Sequence, residues 1–303
     1  MRVLKGLLCV AATVVLWSLA VTLIKFLSYH FDVATQNWVR YSAATIFLAA
    51  LLAGRLGELR ALLAERSTLL LALLVFSFQT LTVHGLYLTK TTIASLLMRM
   101  NVIFTVALSY ALFRDEREVM RSWRFALGVA LALAGVAGVH YRPEAPVGEA
   151  EALGMALVLL GSLTWSLYIV SIKRFLRGRD PLTLTAAVMA VASLMFVPHV
   201  MVAGDPARVL AEPPEVDAVL VVSGILGVGL GNWLNYVAIR ELGAVVPSVL
   251  RLLIPLLTGA FSYLLLGETL LPSEAAFGSL IVAGCALIVY HTSRVAGSLG
   301  GQG

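Results

Sequence analysis

Four basic residues lie inside long apolar stretches of this sequence: Lys25, Arg40, Arg99 and Arg251. A cationic side chain placed centrally in lipid costs roughly 2.5–3.5 kcal/mol on insertion scales. None of the 17 acidic residues lies in the middle of an apolar stretch, so no buried carboxylate is expected to neutralise these cations. Water, backbone carbonyls, snorkelling or the negative charge of a ligand must compensate instead. The chemistry that these residues suggest is the binding of an anion.

The two cations nearest the ends of their stretches each have a structural explanation beside the functional one. Lys25 lies close enough to the end to snorkel to the membrane surface or to pair with Asp32. Arg40 has Gln36 and Asn37 one turn earlier on the same helical face, which favours a structural role. Both residues remain candidates for substrate binding.

Arg99 and Arg251 lie deeper in their stretches, and we expect both to face a central cavity. Pro255 lies four residues after Arg251, and a proline cannot donate a hydrogen bond to the carbonyl four residues back. Pro247 has the same relation to Gly243. This pattern predicts a broken helix that forms a substrate or gating site. The alternative is a packing kink that neighbouring groups repair, which is common in membrane helices.

Uncharged polar and aromatic side chains supply further candidate contacts for a substrate. Asn232 and Asn235 lie one helical turn apart, and they could bind either a substrate or a neighbouring helix. The two tryptophans could pack or could stack on a ligand. His84 is a conceivable proton site, but a structural role is favoured for it. The candidates are Trp17, Gln79, Asn101, Trp165, Asn232, Asn235 and Tyr236.

The sequence offers no recognisable catalytic arrangement. It contains no HExxH, GxSxG or P-loop motif, and no pair of carboxylates at membrane depth. Asp115 and Glu116 lie between Arg114 and Arg117, a pattern that predicts a solvated loop. We therefore expect no enzyme activity, no cofactor and no metal ion.

The composition excludes a water-soluble protein. Of the 303 residues, 60% are hydrophobic and 13% are charged, whereas soluble domains have about 45–50% apolar and about 25% charged residues. The net charge of +5 could suggest nucleic acid. The charges form short clusters between apolar runs, however, which indicates membrane topology and no nucleic-acid partner. Cys9 and Cys285 both lie in apolar runs, so no disulfide framework is expected.

Ten apolar stretches predict transmembrane helices in a lipid bilayer. They lack the two-residue alternation of barrel strands, so the expected fold is an all-α integral membrane protein. A Gly-rich tail over 296–303 is predicted to be disordered. The predicted spans run roughly over 7–29, 34–54, 67–89, 91–113, 123–140, 153–175, 182–203, 217–239, 245–266 and 274–292.

The basic residues predict the orientation of these spans. Of the 22 Lys and Arg residues, most lie in the breaks on one side, whereas Lys90, Arg142 and Arg208 alone lie in the alternate breaks. Cytoplasmic loops carry the excess of Lys and Arg in membrane proteins. Both termini are therefore predicted to be cytoplasmic, in a multi-pass protein of the inner membrane.

An internal repeat divides the chain into two halves. Trp17-Ser18-Leu19 recurs as Trp165-Ser166-Leu167, and Ile24-Lys25 recurs as Ile172-Lys173, at the same offset. A second set of matches links the fourth and ninth spans: Ser95, Thr105, Ser109 and Tyr110 correspond to Ser248, Thr258, Ser262 and Tyr263. We predict five-helix repeats over 1–142 and 150–295. Five is odd, so the second repeat must be inverted, which is a geometry that permits alternating access.

These features resemble the drug/metabolite transporter superfamily, in its EamA-type branch. The resemblance covers about residues 5–295. It rests on the five-plus-five layout and on short motifs: Trp17-Ser18 with Lys25, then Arg40, residues 110–116 (YALFRDE) and residues 263–269 (YLLLGET). Asn101 lies where many relatives have a proline, while Pro255 occupies that place in the second half within one residue.

The resemblance implies a carrier of small metabolites, often an exporter of amino acids or related compounds. The same superfamily includes sugar-phosphate and nucleotide-sugar exchangers. With the buried cations, it suggests an electropositive, aromatic-lined cavity for a small anionic or zwitterionic substrate, in a monomer or weak dimer. Facilitated diffusion or exchange fits better than proton antiport, because no mid-membrane carboxylate is expected. A lipid-modifying enzyme and a scaffold without a central cavity are the alternatives from other classes.

Overall fold

The computed structural model describes residues 2–88, 97–139, 149–266 and 272–300. The described residues are almost entirely helical, and they contain no β-strand. Every backbone polar group in the lipid core must be satisfied within the protein, and a helix does this within one segment. The predicted all-α membrane fold is confirmed.

The described part of the first half forms six α-helices of eight residues or more, with one further short helix, Arg117–Met120, before the last of them. The turn of helix over 97–99 precedes the fifth of them and is separated from it by a turn at Met100. The helices are α1 (Arg2–Leu27), α2 (Val33–Leu51), the short α3 (Leu56–Leu63), α4 (Arg66–Leu88), α5 (Asn101–Leu112) and α6 (Trp123–Val139).

The second half forms seven further helices, and two of its membrane segments are irregular. A π-helical segment, Gly224–Leu230, joins the ninth helix to the tenth, and a 3₁₀ turn, Arg251–Leu253, joins the eleventh to the twelfth. The helices are α7 (Glu149–Phe175), α8 (Pro181–Ala203), α9 (Pro214–Ser223), α10 (Gly231–Leu242), α11 (Val245–Leu250), α12 (Ile254–Leu266) and α13 (Pro272–Gly300).

Each predicted span coincides with a helix in the described part of the chain. Six helical segments there are long and apolar enough to cross a membrane, or up to seven if the bent pair Leu97–Leu112 and Arg114–Met120 is one span. The count of ten spans therefore stays a prediction. The last helix, α13, continues to Gly300, through the start of the tail that was expected to be disordered from 296.

Matching N-caps begin the second helix of each half. The Asp32 carboxylate accepts hydrogen bonds from the backbone N–H (2.9 Å) and hydroxyl (2.7 Å) of Thr35. The Asp180 carboxylate accepts the same two bonds from Thr183, at 3.0 and 2.9 Å. Side-chain oxygens at this position satisfy N–H groups that lack an intrahelical partner. The two caps stand at the same offset in sequence as the repeated tryptophans.

The helices enclose two main apolar clusters. One is built from α2, α4, α7 and α8, and the other from α1, α6, α11 and α13. Close packing in the first depends on glycine: a Cβ on Gly85 would lie 2.7 Å from the carbonyl oxygen of Gly154. Small residues at such crossings let membrane helices approach closely. The polar side chains described next lie where these clusters meet.

Candidate substrate-binding site

Arg251 lies at the break between α11 and α12, and only 6% of the residue is exposed. Its Nη1 donates to Asn235 Oδ1 at 2.5 Å, and its Nη2 donates to Ser248 Oγ at 2.8 Å. Its guanidinium carbon lies 5.6 Å from the ring centroid of Trp17 and 5.9 Å from that of Trp165. Arg251 forms no ion pair within the described residues. A cage of neutral groups therefore holds this buried cation.

Trp17 and Trp165, the repeated tryptophans, meet edge to face with ring centroids 5.8 Å apart. The indole N–H of Trp17 donates to the carbonyl of Gly227 at 2.8 Å. Trp165 also packs against Phe78 and Tyr168, at centroid distances of 4.7 and 5.2 Å. Both rings thus pack within the protein and also carry Arg251 on their surfaces. The two roles that the sequence left open are compatible.

The π-helical segment beside Trp17 is lined with glycine. A Cβ on Gly231 would lie 2.3 Å from the indole nitrogen of Trp17, and a Cβ on Gly224 would lie 2.6 Å from the carbonyl oxygen of Arg40. Only glycine at these two positions therefore allows α1 and α2 to pack this closely against the π-helical segment. π-Helical turns occur frequently at functional sites.

Arg40 is 4% exposed and is packed between α2 and the π-helical segment. Its Nη2 would lie 3.3 Å from a Cβ on Gly227, and its Nε has no hydrogen-bond partner in the described structure. Gln79 is partly buried on α4, and it makes no hydrogen bond to Arg40 within the described residues.

Arg99 lies at the end of the helical turn that precedes Met100 and α5. The helix that follows Arg99, α5, packs against α11, the helix that ends next to Arg251, so the two cations lie in the same part of the protein. The Nε of Arg99 is buried without a hydrogen-bond partner, and the described residues provide no carboxylate for it. Within the described residues, this region therefore holds two cations and no counter-ion. An anionic group is the natural complement of such a region.

Serine hydroxyls contact both broken spans at corresponding positions. Ser166 Oγ lies 2.8 Å from the carbonyl oxygen of Asn101, and Ser18 Oγ lies 3.2 Å from that of Ile254. Each hydroxyl shares its proton with a carbonyl of its own helix, at 2.9 Å for Ser166 and 2.6 Å for Ser18. Ser162 Oγ donates to the carbonyl of Leu97 at 3.0 Å. The backbone of Asn101, which replaces a proline of many relatives, is thus held by a hydroxyl from α7.

The two prolines have local effects. The carbonyl of Arg251, which Pro255 leaves without its usual donor, accepts the backbone N–H of Ile254. Pro247 lies in the first turn of α11. The N–H groups of a first turn have no acceptor within the helix, so the missing N–H of Pro247 costs no hydrogen bond. The kink at Pro255 is thus repaired locally, and the substrate or gating role of the two prolines stays a prediction.

Three other candidates, Lys25, Asn232 and Tyr236, make no hydrogen bond to Arg251 in the described structure. Lys25 lies near the end of α1 with an exposed side chain. Asn232 Nδ2 donates to Val228 O at 2.9 Å within its own segment, although its Oδ1 is buried without a partner. The Tyr236 hydroxyl is fully buried and hydrogen-bonds that of Tyr168 at 2.8 Å.

The expectation of a solvated loop at Glu116 is wrong, because Glu116 is only 6% exposed. Its carboxylate accepts the backbone N–H groups of Ala244 (2.8 Å) and Val245 (2.9 Å) and the Lys173 ammonium (2.7 Å). We call these contacts the Glu116 clasp. The chain bends by 116° after Leu112, which turns Glu116 inward despite its arginine neighbours. Only its motif, Phe113-Arg114-Asp115-Glu116, distinguished it in the sequence.

A cavity of about 340 Å³ lies at the Glu116 clasp, on the side of the protein that is rich in basic residues. Both acidic and basic side chains line this cavity. The charged residues are Asp115, Glu116, Lys173, Arg177, Arg240 and Glu241.

The fold and the buried cations define a multi-pass membrane protein of the transporter class, and sequence comparison gives its family. The profile of the EamA-like transporter family matches twice, over residues 4–141 and 152–290. The chain belongs to the EamA-like transporter family.

Relatives and a solved structure agree with this assignment. An uncharacterized transporter of Haemophilus influenzae is 22% identical, over 93% of this chain and 96% of its own length. An uncharacterized transporter of Methanothermobacter thermautotrophicus is 24% identical, over 96% of this chain and 88% of its own. A protein of known crystal structure, 16% identical, superposes with a TM-score of 0.77 over 96% of this chain and 98% of that one, which shows a shared fold.

Proposed function

We propose that this transporter carries a small anionic or zwitterionic metabolite, such as an amino acid, by alternating access. The observation that supports this most strongly is that the partly buried Arg99 and the buried Arg251 lie next to helices that pack together, with no ion pair to either arginine within the described residues. A ligand carboxylate or phosphate would neutralise them. The Trp17 and Trp165 rings offer apolar surface for the rest of the ligand.

Corresponding contacts in the two halves support the alternating-access part of the proposal. The Asp32 and Asp180 caps correspond, and so do the bonds from Ser18 and Ser166 to the broken spans. Two inverted halves with equivalent contacts can exchange conformations to open the site to either side. Under this proposal both termini are cytoplasmic, the protein lies in the inner membrane, and it works as a monomer or weak dimer.

A phosphorylated substrate is the second candidate within the same class. Arginine binds carboxylate and phosphate equally well in geometric terms, because its planar fork matches both. A sugar-phosphate or nucleotide-type exchanger therefore fits the same pair of cations. A ligand screen must include both kinds of compound.

The first test is a thermal-shift screen on the purified protein with amino acids, organic acids and sugar phosphates. A ligand that binds the folded state alone raises the unfolding temperature in a concentration-dependent way. Hits are then assayed for transport in proteoliposomes. A preference for organic cations over all three groups would contradict the anionic part of the proposal.

The coupling to energy is tested in the same proteoliposomes with and without a pH gradient. Within the described membrane segments, no carboxylate lies beside Arg99 or Arg251, so we expect exchange or facilitated diffusion. The transport rate should be unchanged by the gradient at constant substrate concentration. A rate that follows the proton gradient would contradict this expectation.

A further inference from the structure

Arg99 and Arg251 differ in how they are held: Arg251 is buried, whereas Arg99 is partly exposed. Arg251 donates hydrogen bonds to Asn235 and Ser248, and its guanidinium lies over two indole rings. Arg99 makes no hydrogen bond or ion pair to any described residue, and its Nε is buried without a partner. A buried, unpaired donor is unfavourable. In the conformation described, Arg99 is therefore the cation that is available to a ligand.

The repeat supplies equivalent partners for Arg99 in the first half. Counting by the offset that relates the fourth span to the ninth, Thr82 of α4 corresponds to Asn235 and Gln79 corresponds to Asn232. Arg99 corresponds to Arg251 within one residue. Thr82 is 3% exposed, and its hydroxyl has no hydrogen-bond partner in the described structure. The first half thus contains an unpaired arginine and an unpaired hydroxyl at the positions that are bonded in the second half.

We infer that Arg99 and Arg251 exchange roles during transport, a conclusion that rests on the proposed function. In the conformation described, Arg99 binds the carboxylate or phosphate of the substrate while Asn235 and Ser248 hold Arg251. In the conformation open to the other side, Thr82 holds Arg99, and Arg251 is released to the substrate. The substrate anion therefore meets one free arginine in each conformation.

This arrangement has a physical advantage over two permanently free cations. Two unpaired arginines would attract an anion strongly from either side and would release it slowly. Holding one arginine with neutral oxygens limits the attraction in each conformation. A ligand moves such an equilibrium only by the difference between its affinities for the two states.

Arginine modification by phenylglyoxal on the purified full-length protein tests the exchange, with peptides quantified by mass spectrometry. In the unaltered protein, Arg99 should react several times faster than Arg251. A hydrogen bond to a charged group shifts a two-state ratio by about tenfold or more. Substituting one partner should therefore change the reactivity of the arginine that this partner does not contact.

Two substitutions should act in opposite directions. Asn235→Ala destabilises the state that holds Arg251, so Arg99 modification should fall although Asn235 bonds Arg251 and not Arg99. Thr82→Val destabilises the state that holds Arg99, so Arg251 modification should fall. Ser248→Ala serves as the second variant if Asn235→Ala does not fold. Thr258→Val, which removes another buried hydroxyl without a partner, is the matched control and should change neither rate.

The outcomes separate this inference from the proposed function. Equal modification of the two arginines in the unaltered protein, or a Thr82→Val variant that behaves like Thr258→Val, would overturn the exchange. The modification rates need no transported ligand, so they can be measured whether or not a substrate is found. Failure to transport any anion or zwitterion would instead overturn the proposed function.

Discussion

The two halves of this transporter share their scaffold but differ at the site. Asp32 and Asp180 cap equivalent helices with the same bonds, and Ser18 and Ser166 bind equivalent broken spans. By contrast, hydrogen bonds hold Arg251 in the second half, whereas Arg99 in the first half makes none to the described residues. The repeat thus maintains the same framework in both halves, while the side chains at the site differ between them.

The largest expected effect comes from the Glu116 clasp, in which the first half binds the start of α11 in the second. Removing one partner of a buried, hydrogen-bonded ion pair costs about 3–5 kcal/mol. Glu116→Ala should therefore lower the unfolding temperature strongly in a thermal melt of the detergent-solubilised protein. Asp115→Ala is the control, because Asp115 bonds the same Lys173 ammonium but its side chain is 63% exposed. Equal effects of the two variants would show that the clasp does not stabilise the fold.

A glycine substitution tests the close approach that is peculiar to the π-helical segment. A Cβ on Gly224 would lie 2.6 Å from the Arg40 carbonyl oxygen, and backbone cannot move aside as a flexible side chain can. Overpacking of this kind costs about 1–3 kcal/mol. Gly224→Ala should lower the unfolding temperature, whereas Gly54→Ala, which meets no atom within 4 Å, should leave it unchanged. An unchanged unfolding temperature for Gly224→Ala would indicate that α2 and the π-helical segment can separate readily.

The N-caps test the equivalence of the halves directly. Asp32→Ala and Asp180→Ala should each cost about 0.5–2 kcal/mol, the usual value of a cap. We expect the two losses to agree in thermal melts at neutral pH. A much larger loss from one cap would break the equivalence of the two scaffolds.

The Asp32 cap also predicts a pH dependence. Burial opposes ionisation of Asp32, but hydrogen bonds from Thr35 and from the Asp205 backbone outweigh it and lower the pKa of Asp32 below its ordinary 3.8. The stabilisation by this cap is therefore fully present above pH 3.8, the ordinary pKa of the group. It is lost as the pH falls through the pKa of Asp32 in the folded protein, which lies lower. The gap between the unaltered protein and Asp32→Ala should be constant near neutral pH and shrink in acid. A gap that is unchanged in acid would contradict the assignment.

The smallest effect is expected from the serines that bind the broken spans. Ser18→Ala and Ser166→Ala each remove one hydroxyl donor to a carbonyl, at about 0.5–1.5 kcal/mol. Ser166 Oγ lies 2.8 Å from the carbonyl oxygen of Asn101, whereas Ser18 Oγ lies 3.2 Å from that of Ile254 and nearer, at 2.6 Å, to Val14 O of its own helix. The loss in thermal stability should therefore be slightly greater for Ser166. The reverse order would show that the distances do not reflect the strength of the two contacts.

The sequence predicted the helices well because apolar length alone specifies a helix in lipid. It also identified Arg251, Asn235, Trp17 and Trp165, which the structure brings together, since polar residues in apolar runs stand out. It missed the burial of Glu116, because flanking arginines indicate solvent and the bend after Leu112 leaves no pattern in composition. The sequence did not predict that Arg251 would be hydrogen-bonded and lie over two indole rings while Arg99 makes no hydrogen bond to the described residues. The two arginines have similar neighbours in sequence, so no pattern separates them.

The short helix α11 connects two features that have been treated separately. The Glu116 clasp binds its first residue, Val245, and Arg251 follows its last residue, Leu250. At 1.5 Å per residue, these six residues form a rod of about 9 Å. Because a rod this short bends little, we expect that a displacement of the Glu116 clasp would also displace Arg251.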